Sequence, residues 1–258
     1  DLTSLMAELN ELVAVIAAQD PEFSDLAQVN LTPSADHWLG TDSSGRDLFS
    51  RLVWGARTSL LGPAIVVVFS TVVGTALALA VAWKRGWLDT VASRGFDVIF
   101  AFPGVLLAIL AVAIFGKGLM PAALALSISY TPYVFRLVRA AVIRESARPY
   151  IAVLRGQGFG IGRISVRHLL PNISGLIVAQ SSVLFAYAMA DLAAISFLGL
   201  GVQPPRADWG LMISSGLPGL RQGEPLESIL PAVMIAITIV SANVLGSKFG
   251  DRDHLLKR

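Results

Sequence analysis

Five long apolar stretches restrict the fold of this chain more than any other feature. They cover residues 58–82, 98–115, 121–138, 174–202 and 229–246. A helix needs about 20 mostly apolar residues to cross a bilayer, and each stretch is close to that length or longer. A soluble helix bundle would explain one or two such stretches, but 54% hydrophobic and 15% charged residues make a chain of 258 residues too apolar for that class. The sequence therefore predicts an all-α fold, a polytopic bundle of transmembrane helices.

One polar, basic interruption, residues 149–172, separates the third stretch from the fourth. It carries three arginines and one histidine and no acidic residue. Apolar residues recur within it at a spacing that allows short amphipathic helices; they are Ile161, Ile164, Val166, Leu169 and Leu170. Charges and broken backbone need water or protein partners and cannot lie in lipid. We therefore expect this segment at the membrane surface.

This segment resembles the loop through which permeases of ATP-binding-cassette (ABC) importers dock on their ATPase. The matching residues are Gly158, a spacer to Arg167, and then His168-Leu169-Leu170-Pro171-Asn172. The family motif usually opens with an acidic residue and two alanines, where this chain has Ala152-Val153-Leu154. The resemblance implies an ATPase-coupling loop over residues 144–172, in which Phe159, Ile161 and Ile164 fill a groove of the ATPase. The implied coupling residues are Arg155, Gly158, Phe159, Ile161, Arg163, Ile164, His168, Pro171 and Asn172.

A second signature, residues 37–47, lies in the polar segment before the first clear span. The family form is His-Pro-Leu-Gly-Thr-Asp, two variable residues and Gly-Arg-Asp, and only Trp38 departs from it. The matching residues are His37, Gly40, Thr41, Asp42, Gly45, Arg46 and Asp47. The glycines allow tight turns, and the last aspartate can cap the following helix. A structural loop without a ligand is one interpretation; a nucleophile set of His37, Asp42 and Ser43 is the other, and it lacks a supporting Gly-x-Ser-x-Gly.

Candidates for the translocation pathway come from polar or helix-breaking residues inside the predicted spans. Asp191 lies deep in 174–202, and an acid within a span usually faces the interior of the bundle. The alternative is a packing role, with a hydrogen bond to Tyr187 or Ser196. Pro103 predicts a kink in 98–115, either at the pore or without consequence. We name Asp191, Tyr187, Ser196 and Pro103 as pathway candidates.

The third family signature is SFLGLGVQPP at 196–205, followed by Asp208-Trp209-Gly210. With 37–47 and 158–172 it completes three signatures in the family order. The chain is thus similar to the C-type permease subunits of dipeptide, oligopeptide or nickel ABC importers. The resemblance implies a type I ABC importer permease fold of about six spans. Residues 1–57 would hold a possible first span and an extracytoplasmic loop, and residues 58–258 the permease domain.

Basic residues predict the orientation. If the loop 144–172 and the C-terminal tail face the cytoplasm, fourteen Lys and Arg residues lie inside and six outside, which satisfies the positive-inside rule. With both termini cytoplasmic, an even number of spans requires the N-terminal segment, residues 1–19, to cross as well, and the family resemblance expects a first span there. Glu8 and Glu11 would be costly in lipid, so an amphipathic surface helix is the alternative. The chain begins at Asp1, and we expect the start of that segment to be missing or processed.

Motifs for chemistry within this chain are absent from the sequence. There is no Gly-x4-Gly-Lys-Ser/Thr phosphate loop, so we expect no cofactor in this chain. The resemblance implies that ATP and Mg²⁺ bind to partner ATPase subunits. The sequence has no cysteine and three histidines, which the predicted topology puts on opposite sides of the membrane, so no metal site is expected. The resemblance implies a transport subunit and not an enzyme.

The resemblance also implies the partners. They are a second permease subunit in a heterodimer, two ABC ATPase subunits, an extracytoplasmic substrate-binding protein, a peptide substrate and the lipid bilayer, with no nucleic acid. The expected location is the bacterial plasma (inner) membrane. A nickel or other metal complex is the alternative cargo. An ATP-independent transporter and an intramembrane enzyme are the remaining alternatives; the first would more often show inverted repeats, and a protease would need a second deep aspartate.

Overall fold

The computed structural model describes residues 17, 19–82 and 86–255, and these are mostly helical. We number the α-helices of this part α1 to α10. They are α1 (Leu48–Ala82), α2 (Trp87–Phe100), α3 (Gly104–Phe115), α4 (Leu119–Ser146), α5 (Pro149–Gly156), α6 (Ile161–Ile164), α7 (Leu170–Phe197), α8 (Trp209–Ser215), α9 (Leu217–Gln222) and α10 (Leu226–Leu255). A π-helical turn, Ser165–Leu169, joins α6 to α7. Within the described ranges no strand forms beyond one isolated bridge between Thr41 and Asp47. The predicted all-α fold is confirmed.

Three helical segments of the described chain are long and apolar enough to cross a membrane. They are α1, the run Ile161–Phe197 and the run Leu226–Lys248. The pair α2 and α3 makes a fourth if it is counted as one bent span. Helix α4 has 28 residues and at 1.5 Å per residue is about 42 Å long, although its middle is more polar. Residues 1–16 and 18 lie outside the described residues, so the two alternatives for residues 1–19 stay predictions.

The predicted span 98–115 is broken at the position of the predicted kink. Helix α2 ends at Phe100, α3 begins at Gly104, and the two are bent by 79°. Pro103 explains the break, since proline lacks a backbone donor and disfavours helical geometry at the residue before it. The predicted kink is therefore a change of direction between two helices.

Two ion pairs attach α2 to α4. The Asp89 carboxylate accepts hydrogen bonds from Nε of Arg139 at 2.6 Å and from its terminal nitrogen, and Asp97 pairs with Arg136. The Asp89 side chain is 14% exposed and that of Asp97 is 61% exposed. Because water screens exposed ion pairs, the pair formed by Asp89 contributes more to holding α2.

The predicted span 174–202 extends too far at its end. Helix α7 ends at Phe197, and Gly199 follows with φ of 73°. The N–H groups of Gly199 and Leu200 donate to the carbonyls of Ser196 and Ile195 at 2.9 and 3.1 Å. This pattern is a Schellman motif, which ends a helix with a left-handed residue. The residues after Phe197 therefore form a turn and not a further part of the span.

The chain forms two compact units, each built from separate parts of the sequence. The first contains the described residues up to Pro63, Ile109–Ala122 and Met189–Ile239, and the second contains Ala64–Ala108, Ala123–Ala188 and the residues from Val240 on. The core of the first unit comprises Leu48, Leu52, Met189, Trp209 and Met212. The core of the second unit joins α4 and α7 to the loop between them; its largest fully buried members are Phe135, Ile151, Ile164, Leu169 and Leu184.

Candidate functional site

The surface loop 144–172 begins with α5, and a glycine turn ends that helix. Gly158 has φ of 84°. The N–H of Phe159 donates to the carbonyl of Leu154 at 3.1 Å, and the N–H of Gly158 donates to the carbonyl of Arg155 at 3.0 Å. This is again a Schellman motif, and its left-handed position favours glycine. No atom lies within 4 Å of a Cβ added at Gly158. Within this chain, backbone conformation and not space selects the glycine.

The predicted short helix in this loop exists but is shorter than 158–167. Helix α6 spans Ile161–Ile164, and the π turn follows it, with the N–H of Leu170 donating to the Ser165 carbonyl. The Arg163 guanidinium lies 5.1 Å from the centre of the Phe159 ring. That ring meets the His168 imidazole edge to face at 6.3 Å. These contacts bring three of the predicted coupling residues together; Arg163 is exposed, whereas Phe159 and His168 are half-buried and Phe159 packs against the core of the second unit.

One predicted coupling residue points the other way. Ile164 is fully buried in the core of the second unit with Ile151 and Leu169, so the prediction that it fills an ATPase groove is wrong for this structure. The apolar residues that the loop presents are Val153, Ile161 and Val166, which are 58%, 54% and 64% exposed. The sequence pattern indicated an amphipathic segment, but it did not say which apolar residues anchor the loop and which remain outside.

The two ends of the loop meet at Glu145, in the last turn of α4. Its Oε1 accepts hydrogen bonds from the Tyr150 hydroxyl at 2.9 Å and from Asn172 Nδ2 at 3.2 Å, and Nε of Arg148 lies 3.1 Å from its Oε2. Burial raises the pKa of Tyr150 further above neutrality, and the protonated phenol is the donor in this hydrogen bond. Sequence reasoning missed Glu145, since the family motif has its acidic residue at the position that Ala152 occupies here. The available signal was a lone acid between Arg144 and Arg148.

The 37–47 signature forms a buried polar network within the first unit. Asp42 is fully buried; its Oδ1 accepts from the backbone N–H groups of Ser44 and Arg46 at 2.8 and 2.9 Å. Its Oδ2 lies 2.8 Å from Arg46 Nε and 3.2 Å from Arg51 Nε. Asp47 caps α1 by accepting the N–H of Ser50 at 2.8 Å. The predicted cap is confirmed, and the structural interpretation of this loop is the one that fits.

The alternative nucleophile set of His37, Asp42 and Ser43 is wrong, because the histidine has other partners. Its Nδ1 lies 3.1 Å from Asp47 Oδ1 and its Nε2 lies 2.8 Å from Gln28 Oε1. The backbone N–H of Ser43 instead donates to Glu227 Oε2 at 3.1 Å. The imidazole therefore supports the capping carboxylate and does not activate a hydroxyl.

Two glycines of the same signature allow the loop to close on itself. Gly40 and Gly45 have φ of 80° and 75°. An added Cβ would lie 2.2 Å from the Leu31 carbonyl oxygen at Gly40 and 1.8 Å from that of Asp25 at Gly45. Thr41, between them, accepts the N–H of Leu31 through Oγ1 at 2.8 Å. Both turns therefore require glycine for conformation and for space.

The Asp208-Trp209-Gly210 signature holds α8 against the first turns of α1. Asp208 caps α8 by accepting the N–H of Leu211 at 3.1 Å and the Ser59 hydroxyl at 2.9 Å, and burial raises its pKa. The Trp209 indole donates to the Leu52 carbonyl at 2.9 Å. A Cβ at Gly210 would lie 2.5 Å from the Ala193 carbonyl oxygen. The signature is therefore a packing motif within this unit.

The pathway candidates have different surroundings. Ser196 is 2% exposed and hydrogen-bonds to Asp208, so its prediction as a pathway residue is wrong. Tyr187 is 62% exposed, Pro103 is exposed at the break before α3, and Asp191 is half-buried in α7. These three stay candidates. The described residues contain no group of three or more His, Cys, Asp or Glu side chains that could hold a metal ion.

The helical fold, the candidate spans and the surface loop are those expected of the class that the three signatures predicted, a membrane-embedded permease subunit of a type I ABC importer. Residues 40–251 match the family described as binding-protein-dependent transport system inner membrane component, and the chain belongs to this family. The prediction from the three signatures is confirmed at this level.

Curated relatives and solved structures agree with that assignment. The chain is 40% identical over 223 residues to a dipeptide transport system permease protein, DppC, of Alkalihalophilus pseudofirmus, a match that covers 86% of this chain and 72% of the relative. It is 38% identical to the glutathione transport system permease protein GsiD of Pectobacterium atrosepticum, over 90% of this chain and 76% of that protein. A chain of the MetNI methionine ABC transporter in an inward-facing conformation matches with a TM-score of 0.64 at 18% identity, over 79% of this chain and 96% of that one. This last likeness shows the fold.

Proposed function

We propose that this chain forms half of the translocation pore of an ATP-driven importer for dipeptides or oligopeptides. The relatives described as dipeptide and glutathione permeases favour a peptide over a nickel complex as cargo. The observation that carries the coupling role is the loop 144–172. It presents exposed Val153, Ile161 and Val166 together with arginines, while Ile164 anchors it in the core. An apolar surface with a basic rim fits a groove on another protein, as in helix-in-groove recognition.

The assembly that we propose has this chain in the bacterial inner membrane with both termini in the cytoplasm. Residues 1–57 would contain a possible first span and the extracytoplasmic loop, and residues 58–258 the permease domain. A second permease would complete the pore as a heterodimer, and two ABC ATPase subunits would hold ATP and Mg²⁺ at the cytoplasmic loops. An extracytoplasmic binding protein would deliver the peptide. The charge distribution, with fourteen basic residues on the proposed inside, supports this orientation.

Reconstitution tests the proposal. The chain would be placed in vesicles with its partner permease, ATPase subunits and binding protein, and uptake of labelled dipeptides, glutathione and nickel would be measured with and without ATP. We expect ATP-dependent peptide uptake that requires the binding protein. Uptake of nickel alone would assign the alternative cargo, and peptide uptake without ATP would refute the importer class.

A further inference from the structure

Glu145, a residue outside all three signatures, closes the base of the coupling loop. We call Glu145, Tyr150 and Asn172 the base clasp. Glu145 is only 6% exposed, and one of its carboxylate oxygens accepts from both other members, at 2.9 and 3.2 Å. Asn172 Nδ2 also donates to the Tyr150 hydroxyl at 2.9 Å. One side chain thus joins the end of α4, the start of α5 and the first turn of α7.

The glycines in the outer part of the loop have open space around them, and the loop is attached to the core there mainly through Ile164 and Phe159. Four glycines have no atom within 4 Å of an added Cβ, namely Gly156, Gly158, Gly160 and Gly162. The covalent route from this part to α7 runs through the π turn Ser165–Leu169, whose bonding pattern is rare and often found at functional sites. A force applied to the outer part would therefore deform it unless the base provides a second, stiffer connection.

We propose that Glu145 is a positioning residue, through which movement of a docked ATPase reaches α4 and α7 together. The base clasp connects α5 directly to Asn172 and so bypasses the π turn. Hydrogen bonds to a charged acceptor are among the stronger ones, and leaving such a group unpaired in a buried place is costly. The clasp therefore keeps its geometry while the outer loop adapts to the partner. This inference rests on the proposed coupling function of the loop.

An exchange of donor and acceptor tests the clasp. Asn172→Asp replaces the donor with a second carboxylate beside Glu145, and repulsion should open the clasp. Adding Glu145→Gln supplies an amide that donates to the new carboxylate, so the double variant restores the bond with its direction reversed. We expect peptide transported per ATP hydrolysed to fall about tenfold in Asn172→Asp, the shift expected for losing a buried hydrogen bond to a charged group. The double variant should recover at least half of the wild-type ratio.

The controls separate coupling from folding. Thermal unfolding and co-purification of the ATPases are measured for each variant. If Asn172→Asp does not assemble, Tyr150→Phe is the second variant, because it opens the clasp without a change of charge. A wild-type transport ratio in Asn172→Asp or Tyr150→Phe would overturn the inference, and so would a loss that the double variant does not repair. A wild-type complex whose ATP hydrolysis ignores the loaded binding protein would instead refute the proposed function.

Discussion

The glycine turn at the end of α5 gives a prediction whose size follows from the backbone. Gly158 has φ of 84° and open space around it, so a substitution there acts through conformation alone. A residue with a Cβ pays about 1–2 kcal/mol in the left-handed region. Because 1.4 kcal/mol corresponds to a factor of ten in an equilibrium constant, Gly158→Ala should lower the population of the docking conformation roughly tenfold. Asparagine tolerates this region better, so Gly158→Asn should lose less.

The assay is the stimulation of ATP hydrolysis by loaded binding protein, with peptide uptake, in reconstituted vesicles. We expect stimulation and uptake to decrease in the order wild type, Gly158→Asn, Gly158→Ala, Gly158→Arg. The arginine comes last because it also adds bulk where we propose that the partner docks. Gly156→Ala is the matched control, since this glycine lies two residues earlier in a helical conformation with equal space. Alanine there should be neutral or favourable, because it exceeds glycine in helix propensity by about 1 kcal/mol. Equal coupling in Gly158→Ala and Gly156→Ala would refute the conformational argument.

Three further predictions concern the rest of the chain. Burial raises the pKa of Asp208, so the folded protein binds a proton at this carboxylate more tightly than the unfolded chain does. The resulting contribution to folding stability is complete below the ordinary carboxyl pKa and is lost as pH rises through the raised pKa. Asp208→Asn should flatten that part of the pH dependence of thermal unfolding in detergent, and an unchanged slope would contradict the assignment. The chain has no native cysteine, so single cysteines can report the orientation through an impermeant thiol reagent in intact cells. A cysteine at Arg163 should be protected from the reagent, and one at Ser43 or Gln222 should react with it. Labelling at position 163 would refute the predicted topology. Asp191→Asn should preserve assembly and change the transport rate, and a carboxylate found facing acyl chains would oppose this, since lipid exposure of an acid costs a few kcal/mol.

The sequence predicted the class of fold well because hydrophobic length is a local property. Apolar stretches such as 58–82 are visible without any knowledge of their neighbours, and α1 contains that stretch. The break at Pro103 was foreseen as a position but not as a 79° bend, since the angle depends on how α2 packs on α4. The ion pair of Asp89 with Arg139 joins residues 50 positions apart, and no periodicity indicates such a pair.

In the candidate site, too, features set by local sequence could be predicted and features set by tertiary packing could not. The Asp47 cap follows from a local rule and was predicted from the sequence, whereas Gly158 was named from the family motif and the local rule for left-handed glycines explains its turn. The burial of Ile164 and the clasp at Glu145 depend on where α4 and α7 place the two ends of the loop. Ile161 and Ile164 are three residues apart and chemically equal, yet one is 54% exposed and the other fully buried. Only tertiary packing distinguishes them.

The π turn between α6 and α7 has a consequence for how this loop can change in evolution. A π turn is equivalent to one residue inserted into an α-helix, and each residue of an α-helix turns the chain by about 100°. Deleting one residue within Ser165–Leu169 would therefore rotate α6 relative to α7 by that angle and carry Ile164 out of the core. Substitutions on the outside of the loop leave this register intact. Among relatives, exposed positions such as Ile161, Arg163 and Val166 should thus tolerate other residues, whereas insertions and deletions between Gly158 and Asn172 should be rare.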